Sequence, residues 1–451
     1  MRSEKRFEKR LLEDLQWLGL TWDEGIECGG KVGPYRQSDR LDFYRKHAQN
    51  LWNANKAYYC FCSAEELQEL RQRQLSNREV VRYSGKCRTV KAEEAAHRLL
   101  QKESAVLRLK VRQGKVGFRD MVFGSLQMDC DEIGDFVLLR SNGTATYNFA
   151  CPIDDLSMSI THVIRGEGHI SNTYRQILIY EAFDSKLPSF AHLSTVLGKD
   201  GSKLSKRYGA ASVEKFRRQG YLPQALLNYL ALLGWAPSED EQEILTLEDL
   251  VSQFDLRRVI RSPAIFDRRK LNWVNRSHLK GLDRAHIVKL AIPYLRRQGW
   301  LPEALSEELI SWVGDVIEAV FKYLYKMEDL ITEVGLIFNF RPEEKLTHPQ
   351  VQKILSQEEA RNVIKDFYQR IQAHEGLDLL GYKKVLSDVK TATGQSGRDL
   401  FQPIRLAITG RLSGPELDKL VPILEKGKQL KLPVRVLGIE ERVKAVLDQL
   451  R

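Results

Sequence analysis

An apolar run that passes directly into a basic, glycine-containing loop constrains this chain more than any other stretch. The run covers residues 190–197, and the loop at residues 198–209 reads GKDGSKLSKRYG. Gly198 and Gly201 can adopt positive φ angles that other residues resist, so the loop is predicted to turn tightly on a rigid strand. Its cations cannot all pack inside, and they must therefore face water or a polyanion.

The polar core of this loop has two interpretations. Lys203 and Lys206 lie three residues apart, a spacing that usually marks a solvated basic surface. On a loop beside a nucleotide site, the same pair can close over a triphosphate and neutralise charge that develops in the transition state. The sequence around the loop has to decide between the two.

A second apolar strand also ends in polar residues. Residues 160–164 predict a strand, Arg165 and Glu167 follow it, and a helix is predicted to begin near Ser171. Ligand sites in parallel α/β sheets lie at the carboxyl ends of strands, and an arginine there suits bidentate binding of a carboxylate. Structural roles stay open for its neighbours: His162 as a core histidine, and Glu167 as the partner of Arg165.

Three cysteines have the spacing of metal ligands. Cys60 and Cys62 lie on the same side of a predicted strand, and Cys87 follows at a distance, as in a small zinc site. Tyr83 or solvent would have to complete the tetrahedron, since Thr89 is a poor ligand. The alternative is a set of half-buried free thiols. Because the fourth ligand is uncertain, we expect zinc to bind weakly or not at all.

Composition limits the class of protein. The 451 residues are 43% hydrophobic, enough for roughly two to four domains, and the net charge of +10 favours a polyanionic partner. No segment approaches the roughly 20 apolar residues of a membrane helix, and the N-terminus lacks the apolar core of a secretory signal. The six cysteines all precede residue 152 and do not form a disulfide framework. We therefore expect a cytoplasmic protein without a membrane partner.

Several longer motifs follow one another in a fixed order. They are TYNFA, THVIRGEGHISNTYRQ, FAHLSTVLGKDGSKLSKRYG, GYLPQALLNYLALLGW, FDRRKLNWVN and GRDLFQPIRLAITGRLSGPEL. In this order they closely resemble the bacterial-type glutamyl-tRNA synthetases, a family of class I aminoacyl-tRNA synthetases. The resemblance extends over essentially the whole chain.

The resemblance implies a fold and a division into domains. The fold is α/β, with a Rossmann-type class I synthetase catalytic domain that is N-terminally truncated and carries an α+β insertion. An all-α anticodon-binding region follows at the C-terminus. The implied domains are residues 1–57 and 139–235 for catalysis, 58–138 for the acceptor-binding insertion with a candidate zinc knot, 236–283 for the stem-contact region and 284–451 for the anticodon-binding region.

The resemblance also implies a glutamate–tRNA ligase. With ATP and Mg²⁺, such an enzyme activates L-glutamate to glutamyl-adenylate and transfers it to the 3′ end of tRNA(Glu). Tyr147 and Arg165 match positions that contact glutamate, and Cys151 stands where some relatives have asparagine. The catalytic positions would be Lys203 and Lys206. The full ATP-binding segment is Lys203, Leu204, Ser205, Lys206 and Arg207.

The family also bears on metal and partners. Cys60, Cys62 and Cys87 match a zinc site that only some members of the family keep. The fourth ligand in those members is either the tyrosine that matches Tyr83 or a histidine at the position where this chain has Thr89. We expect a monomer that binds tRNA(Glu), and acceptance of tRNA(Gln) stays open.

One departure from the family concerns the N-terminus. Relatives open with a strand carrying Arg-Phe-Ala-Pro-Ser-Pro-Thr-Gly, then a His-Ile-Gly-His-like signature and a Glu-Asp-Thr-Asp segment. This chain has none of them ahead of its first predicted helix at residues 4–19, and its first histidine is His47. We expect half of the ATP pocket to be absent, through a truncated gene model or a start codon assigned too far downstream.

Two alternatives to a ligase follow. A catalytically deficient tRNA-binding fragment would result from the missing N-terminal segment. A shorter paralogue, which charges a modified base in tRNA with glutamate, lacks the helical C-terminal region. The helical pattern over residues 284–451 argues against that paralogue.

Overall fold

The structure is a computed structural model that describes residues 5–204, 212–237, 243–374 and 376–450. The chain divides into two compact units. The first consists of residues 1–205 and 230–266, and the second of residues 206–229 and 267–451. None of the helices in the described ranges combines the length and the apolar character that crossing a bilayer requires.

The helices and strands have the following bounds. Up to residue 204 they are α1 (Lys5–Trp17), α2 (Leu41–Asn53), β1 (Ala57–Cys60), α3 (Ala64–Ser76), α4 (Ala92–Leu100), β2 (Val106–Leu109), β3 (Lys115–Asp120), β4 (Gly124–Asp129), α5 (Cys130–Ile133), β5 (Val137–Leu139), α6 (Tyr147–Ser157), β6 (His162–Gly166), α7 (Ile170–Ala182), β7 (Ser189–Leu193) and β8 (Val196–Leu197). From residue 212 they are α8 (Val213–Gln219), α9 (Pro223–Ala231), α10 (Leu247–Gln253), β9 (Ala264–Ile265), α11 (Arg268–Lys280), α12 (Arg284–Arg297), α13 (Glu307–Val320), α14 (Asp329–Phe338), α15 (Pro342–Lys345), α16 (Pro349–Leu355), α17 (Glu358–Ile371), α18 (Leu379–Thr393), α19 (Gly397–Thr409), α20 (Leu417–Gln429) and α21 (Ile439–Gln449).

The sheet that carries the candidate site has the order β4-β3-β7-β6. β6 pairs with β7 in parallel, and β3 joins the other side of β7 in parallel where Asp120 pairs with Phe190. β3 and β4 form an antiparallel hairpin. Because β3 and β4 lie within residues 58–138, the sheet contains strands from both the predicted insertion and the predicted catalytic domain. The division into domains stays a prediction.

A second sheet of the first unit is antiparallel, in the order β1-β2-β5. Its buried apolar side chains share one core with α2, α6 and α7. Fully buried members of that core include Tyr44, Leu107, Leu138, Phe149 and Ile179. Burial of large side chains of this kind stabilises a fold by about 1.5–3 kcal/mol each. This core therefore fixes the positions from which α6 and α7 direct polar residues toward the end of β6.

Local signals in the sequence define several helix ends. The helix predicted over residues 4–19 is confirmed as α1, and the helix predicted near Ser171 begins at Ile170. Thr246 caps α10 in a reciprocal pair with Asp249. Such a capping box satisfies backbone N–H groups that a helix leaves free at its N-terminus.

In the second unit, the described residues from 267 onward are helices and connecting segments. A buried arginine joins three of its backbone segments. Arg442 donates to the carbonyls of Leu336 and Ile337 in α14, of Ile408 in α19, and of Leu437. These carbonyls lie near helix C-termini, where backbone acceptors have no partner within the helix. One side chain therefore satisfies the ends of two helices.

Candidate active site

The end of β6 places Arg165 at the centre of a polar cluster. Its Nη1 donates to the Tyr147 hydroxyl at 3.3 Å, and its Nη2 donates to Thr173 Oγ1 at 2.6 Å and to Gln176 Oε1 at 2.8 Å. Its Nε lies 3.4 Å from His192 Nε2. Tyr147 and Arg165, predicted from the sequence to contact one substrate, are therefore neighbours.

The charge of Arg165 is not neutralised within this cluster. Its four hydrogen-bond partners are uncharged side chains, and no carboxylate among the described residues forms an ion pair with it. Tyr147 beside it is 43% exposed. A guanidinium held by neutral acceptors next to an accessible tyrosine retains its attraction for an incoming carboxylate.

The sequence-based alternatives for the neighbours of Arg165 are not supported. His162 is exposed and is not a core histidine. Glu167 does not pair with Arg165, because its Oε1 accepts from the backbone N–H of Thr195 at 2.9 Å. These contacts with Thr195, and then the nearby Lys203, lower the pKa of Glu167. Lys203 thus lies in the electrostatic neighbourhood of the end of β6.

On α6, one turn after Tyr147, Cys151 faces a carboxylate. Its Sγ lies 3.7 Å from Asp155 Oδ2, which also accepts from the Tyr180 hydroxyl at 3.1 Å. Burial, and then Asp155, raises the pKa of the Cys151 thiol to about 11. The thiol is therefore neutral near pH 7 and is a weak donor, so it does not supply the amide that asparagine would offer here.

The start of the basic loop is a tight turn. Gly198 N donates to Ser202 O at 2.8 Å, and Asp200 Oδ1 accepts from the Ser202 N–H at 3.1 Å. Gly201 has the expected positive φ of 73°, whereas Gly198 is not among the positive-φ residues. Leu204 N donates back to Val196 O at 3.1 Å.

This turn therefore supports Lys203 and Leu204 at the end of β8. The remaining residues of the predicted ATP-binding segment, Ser205, Lys206 and Arg207, lie outside the described part of the chain.

The three predicted metal ligands come together. The Sγ atoms of Cys60, Cys62 and Cys87 all lie within 4.8 Å of one another, with 3.6 Å between those of Cys62 and Cys87. The Tyr83 hydroxyl lies 3.3 Å from Cys60 Sγ and 3.4 Å from Cys62 Sγ. Zn–S bonds of about 2.3 Å place tetrahedral sulfurs about 3.8 Å apart, so these residues fit a zinc ion. Thr89 is exposed.

Sequence reasoning did not identify four buried polar residues around Arg165: Asp120, Thr173, Gln176 and His192. A signal existed for two of them. Thr173 and Gln176 are three residues apart on α7, so they share one face of a helix whose other buried positions are mostly apolar. Asp120 and His192 are 72 residues apart and gave no local signal.

Comparison with known proteins defines the class. Residues 1–273 match the family model described as "tRNA synthetases class I (E and Q), catalytic domain", and residues 286–431 match "Anticodon binding domain". The chain is thus a class I tRNA synthetase with a catalytic domain followed by an anticodon-binding domain.

Individual relatives give the family. The glutamate–tRNA ligase of Carboxydothermus hydrogenoformans is 43% identical over 424 residues, which are 94% of this chain and 88% of the relative. That of Desulforamulus reducens is 41% identical over 95% of this chain and 89% of the relative. A crystal structure of a glutamate–tRNA ligase from Elizabethkingia meningosepticum, in complex with its amino acid, superposes with a TM-score of 0.81 and 26% identity, covering 98% of this chain and 89% of that chain.

The chain belongs to the glutamate–tRNA ligase family. The predicted family, α/β fold class and ligase activity are confirmed, and the alternative of a catalytically deficient tRNA-binding fragment is not favoured. Members of this class use ATP and Mg²⁺, and glutamate–tRNA ligases bind glutamate and tRNA.

Proposed function

We propose that Arg165 and Tyr147 bind a carboxylate of L-glutamate while Lys203 and Lys206 hold the phosphates of ATP. Glutamyl-adenylate would form between the ends of β6 and β8 and then pass to the 3′ end of tRNA(Glu). The observation that carries this proposal is the cluster at Arg165, where the cation has four uncharged partners and no ion pair among the described residues.

The charge of Arg165 favours a carboxylate ligand. A partly buried cation without a counter-ion costs folding free energy, and a site keeps such a group when a ligand supplies the opposite charge. A planar guanidinium can donate two parallel hydrogen bonds to a carboxylate, and the adjacent Tyr147 hydroxyl adds a further donor. Glutamine offers an amide in place of the side-chain carboxylate, so a guanidinium on that carboxylate favours glutamate.

The experiment is glutamate-dependent exchange of pyrophosphate into ATP. Arg165→Gln should raise the KM for glutamate by about one to two orders of magnitude, the scale for a lost charge-assisted hydrogen bond, while the KM for ATP stays close to its original value. Arg112→Gln is the matched control, since Arg112 pairs with Glu181 at the surface. An unchanged KM for glutamate in Arg165→Gln would refute the proposal.

The same assay tests the lysines. Lys206→Ala should lower the rate of adenylate formation by about two to three orders of magnitude, the scale of one removed transition-state donor. Lys203→Ala should have a smaller effect. Leu204, Ser205 and Arg207 complete the ATP-binding segment in this proposal, with Mg²⁺ on the phosphates.

We also propose that Cys60, Cys62, Cys87 and Tyr83 hold a zinc ion. The distances among the three thiols support this ligand set, and the Tyr83 hydroxyl is close enough to serve as the fourth ligand. The usual protein ligands of zinc are thiolate, imidazole and carboxylate, so the phenol of Tyr83 is a weaker ligand than a fourth thiolate would be. The proposal is therefore a site of modest affinity that stabilises the insertion.

The partner is proposed to be tRNA(Glu), with tRNA(Gln) a second substrate to be tested, and the working form a cytoplasmic monomer. The net charge of +10 supports a phosphate-binding component. Binding measured on filters should weaken steeply as salt rises. Affinity for tRNA that does not change with salt would contradict this component.

A further inference from the structure

Beneath Arg165 lies a chain of buried polar groups. Thr173 and His192 have no exposed surface, and Gln176 is 2% exposed. The Arg165 Nη2 donates to Thr173 and Gln176, and Thr173 Oγ1 lies 3.0 Å from His192 Nε2. Arg165 is thus linked to His192 Nε2 by two routes: directly through its own Nε, at 3.4 Å, and indirectly through the hydroxyl of Thr173.

The far side of the imidazole is anchored on Asp120. His192 Nδ1 lies 2.7 Å from Asp120 Oδ2, and the carboxylate also accepts from the backbone N–H of His192. Its Oδ1 accepts from the backbone N–H groups of Val122 and Phe123 at 2.9 and 2.8 Å. The carboxylate is therefore fixed by three backbone donors, independently of Arg165.

This anchor determines the tautomer of His192. An imidazole that donates from Nδ1 to a carboxylate keeps Nε2 free of a proton, and Nε2 is then an acceptor. Burial lowers the pKa of His192 despite Asp120, and Arg165 and His169 lower it further, so the neutral form is favoured. The nitrogen that faces Arg165 is consequently an acceptor suited to a guanidinium N–H.

The side-chain amide of Gln176 is only partly satisfied in this arrangement. Its Oε1 accepts from Arg165, while its Nε2 is buried and has no hydrogen-bond partner among the described residues. A buried unpaired donor is unfavourable, and native structures contain few. The orientation of this amide therefore serves Arg165 rather than the packing of α7.

We propose that Asp120 and His192 are positioning residues for glutamate binding: they hold the Arg165 guanidinium, through His192 Nε2 and Thr173, with Nη1 beside Tyr147 and available to the substrate. This inference rests on the proposed role of Arg165. It assigns a function in substrate recognition to two side chains that are buried beneath Arg165. Fixing a binding group in advance reduces the ordering cost of binding, so the effect should fall on glutamate affinity.

The competing interpretation is that the Asp120–His192 pair only joins β3 to β7. Two variants separate the roles, because the amide of asparagine reaches the position of Nδ1 and that of glutamine reaches the position of Nε2. His192→Asn keeps a donor for Asp120 but removes the acceptor for Arg165. His192→Gln retains an acceptor for Arg165. A role limited to joining strands would make the asparagine variant the milder of the two.

The experiment measures the glutamate Kd by equilibrium dialysis of the intact chain, together with the KM values for glutamate and ATP in pyrophosphate exchange. His192→Asn should raise the Kd and the KM for glutamate by about 10- to 100-fold, the scale for lost support of a binding residue, with the KM for ATP unchanged. His192→Gln should recover most of the affinity. Thr173→Val, which removes one hydroxyl at nearly constant volume, should also weaken glutamate binding and carries the same test if His192→Asn does not fold.

Arg165→Gln distinguishes failure of this inference from failure of the proposed function. If Arg165→Gln abolishes glutamate binding while folded His192→Asn and Thr173→Val bind glutamate as the original chain does, the positioning role is refuted and the role of Arg165 stands. If Arg165→Gln binds glutamate normally, the proposed function itself is wrong. Equal losses for glutamate and ATP in His192→Asn would also refute the positioning role.

Discussion

Arg40 donates from Nε to Asp154 Oδ1 at 2.7 Å, and both side chains are almost completely buried. The carboxylate also accepts from the hydroxyl of Tyr44 at 2.8 Å and from Gln37 Nε2 at 2.9 Å. The pair joins the start of α2 to α6, the helix that begins with Tyr147. It therefore supports one wall of the proposed glutamate site from behind.

Removing the cation from this pair should destabilise the first unit. Arg40→Met leaves the Asp154 carboxylate buried with only neutral donors, and we expect the free energy of unfolding to fall by about 3–5 kcal/mol. The measurement is urea denaturation followed by circular dichroism. Arg257→Gln is the control, because the Arg257–Asp255 pair is exposed and its loss should leave the unfolding transition in place. If Arg40→Met and Arg257→Gln unfold at the same urea concentration, the buried Arg40–Asp154 pair does not stabilise the first unit.

Arg442 should be equally important in the second unit. Its guanidinium is the partner of four backbone carbonyls, and burial lowers its pKa without a contacting carboxylate among the described residues. Arg442→Met should leave these acceptors unpaired and lower the free energy of unfolding by several kcal/mol, at about 1–3 kcal/mol for each unsatisfied group. Arg435→Met, at an exposed arginine nearby, is the control.

The role of Arg442 at the two helix ends can be tested locally by hydrogen exchange. Hydrogen exchange should show faster exchange at the C-terminal turns of α14 and α19 in Arg442→Met, while the sheet of the first unit is unaffected. Unchanged protection in α14 and α19 would show that Arg442 does not hold these helix ends.

His192 should make the stability of the first unit depend on pH. Burial lowers its folded pKa below the ordinary value of 6.5, Arg165 and His169 act in the same direction, and Asp120 opposes them. As pH falls through 6.5, the unfolded chain binds a proton that the folded chain does not. The contribution of neutral His192 is therefore complete above 6.5 and is lost as pH falls toward the folded pKa.

The test of this pH dependence compares urea midpoints at about pH 7 and about pH 5.5. Between these two pH values, the urea midpoint should fall less in His192→Gln than in the original chain. His278 has a lowered pKa from burial as well, so the difference between the two proteins, rather than either curve alone, carries the test. If the urea midpoint falls equally in the original chain and in His192→Gln, His192 is not buried in its neutral form.

Metal analysis tests the thiol cluster. Because the proposed site has modest affinity, protein equilibrated with added zinc should bind close to one zinc per chain in the original form. Cys87→Ser should bind little, because two thiols and a phenol do not make a stable site. Cys28→Ser is the matched control, since Cys28 is exposed and lies outside the cluster. Tyr83→Phe should retain zinc but release it to a weaker chelator. Zinc-free original protein, even after addition of zinc, would contradict the ligand set.

Local patterns in the sequence were enough to predict part of the fold and part of the candidate site. The strand that ends at Arg165, the helix that follows it and the closeness of Cys60, Cys62 and Cys87 all depend on residues near one another in the chain. Periodicity and spacing report on such features directly.

The remaining part depends on tertiary contacts. Asp120 reaches His192 across 72 residues, and Arg40 reaches Asp154 across 114. Neither pairing has a local signature, because each is set by which strands and helices pack together. The pairing of β3 with β7 is of the same kind: it brings Asp120 into the sheet that carries Arg165, although Asp120 lies within the predicted insertion.

A crystal structure of the chain with L-glutamate tests the central claim most directly. We predict a glutamate carboxylate at about 2.7–2.9 Å from Arg165 Nη1, within reach of the Tyr147 hydroxyl, and a guanidinium still held by Thr173, Gln176 and His192. Glutamate bound elsewhere, with Arg165 contacting only its present neighbours, would contradict it.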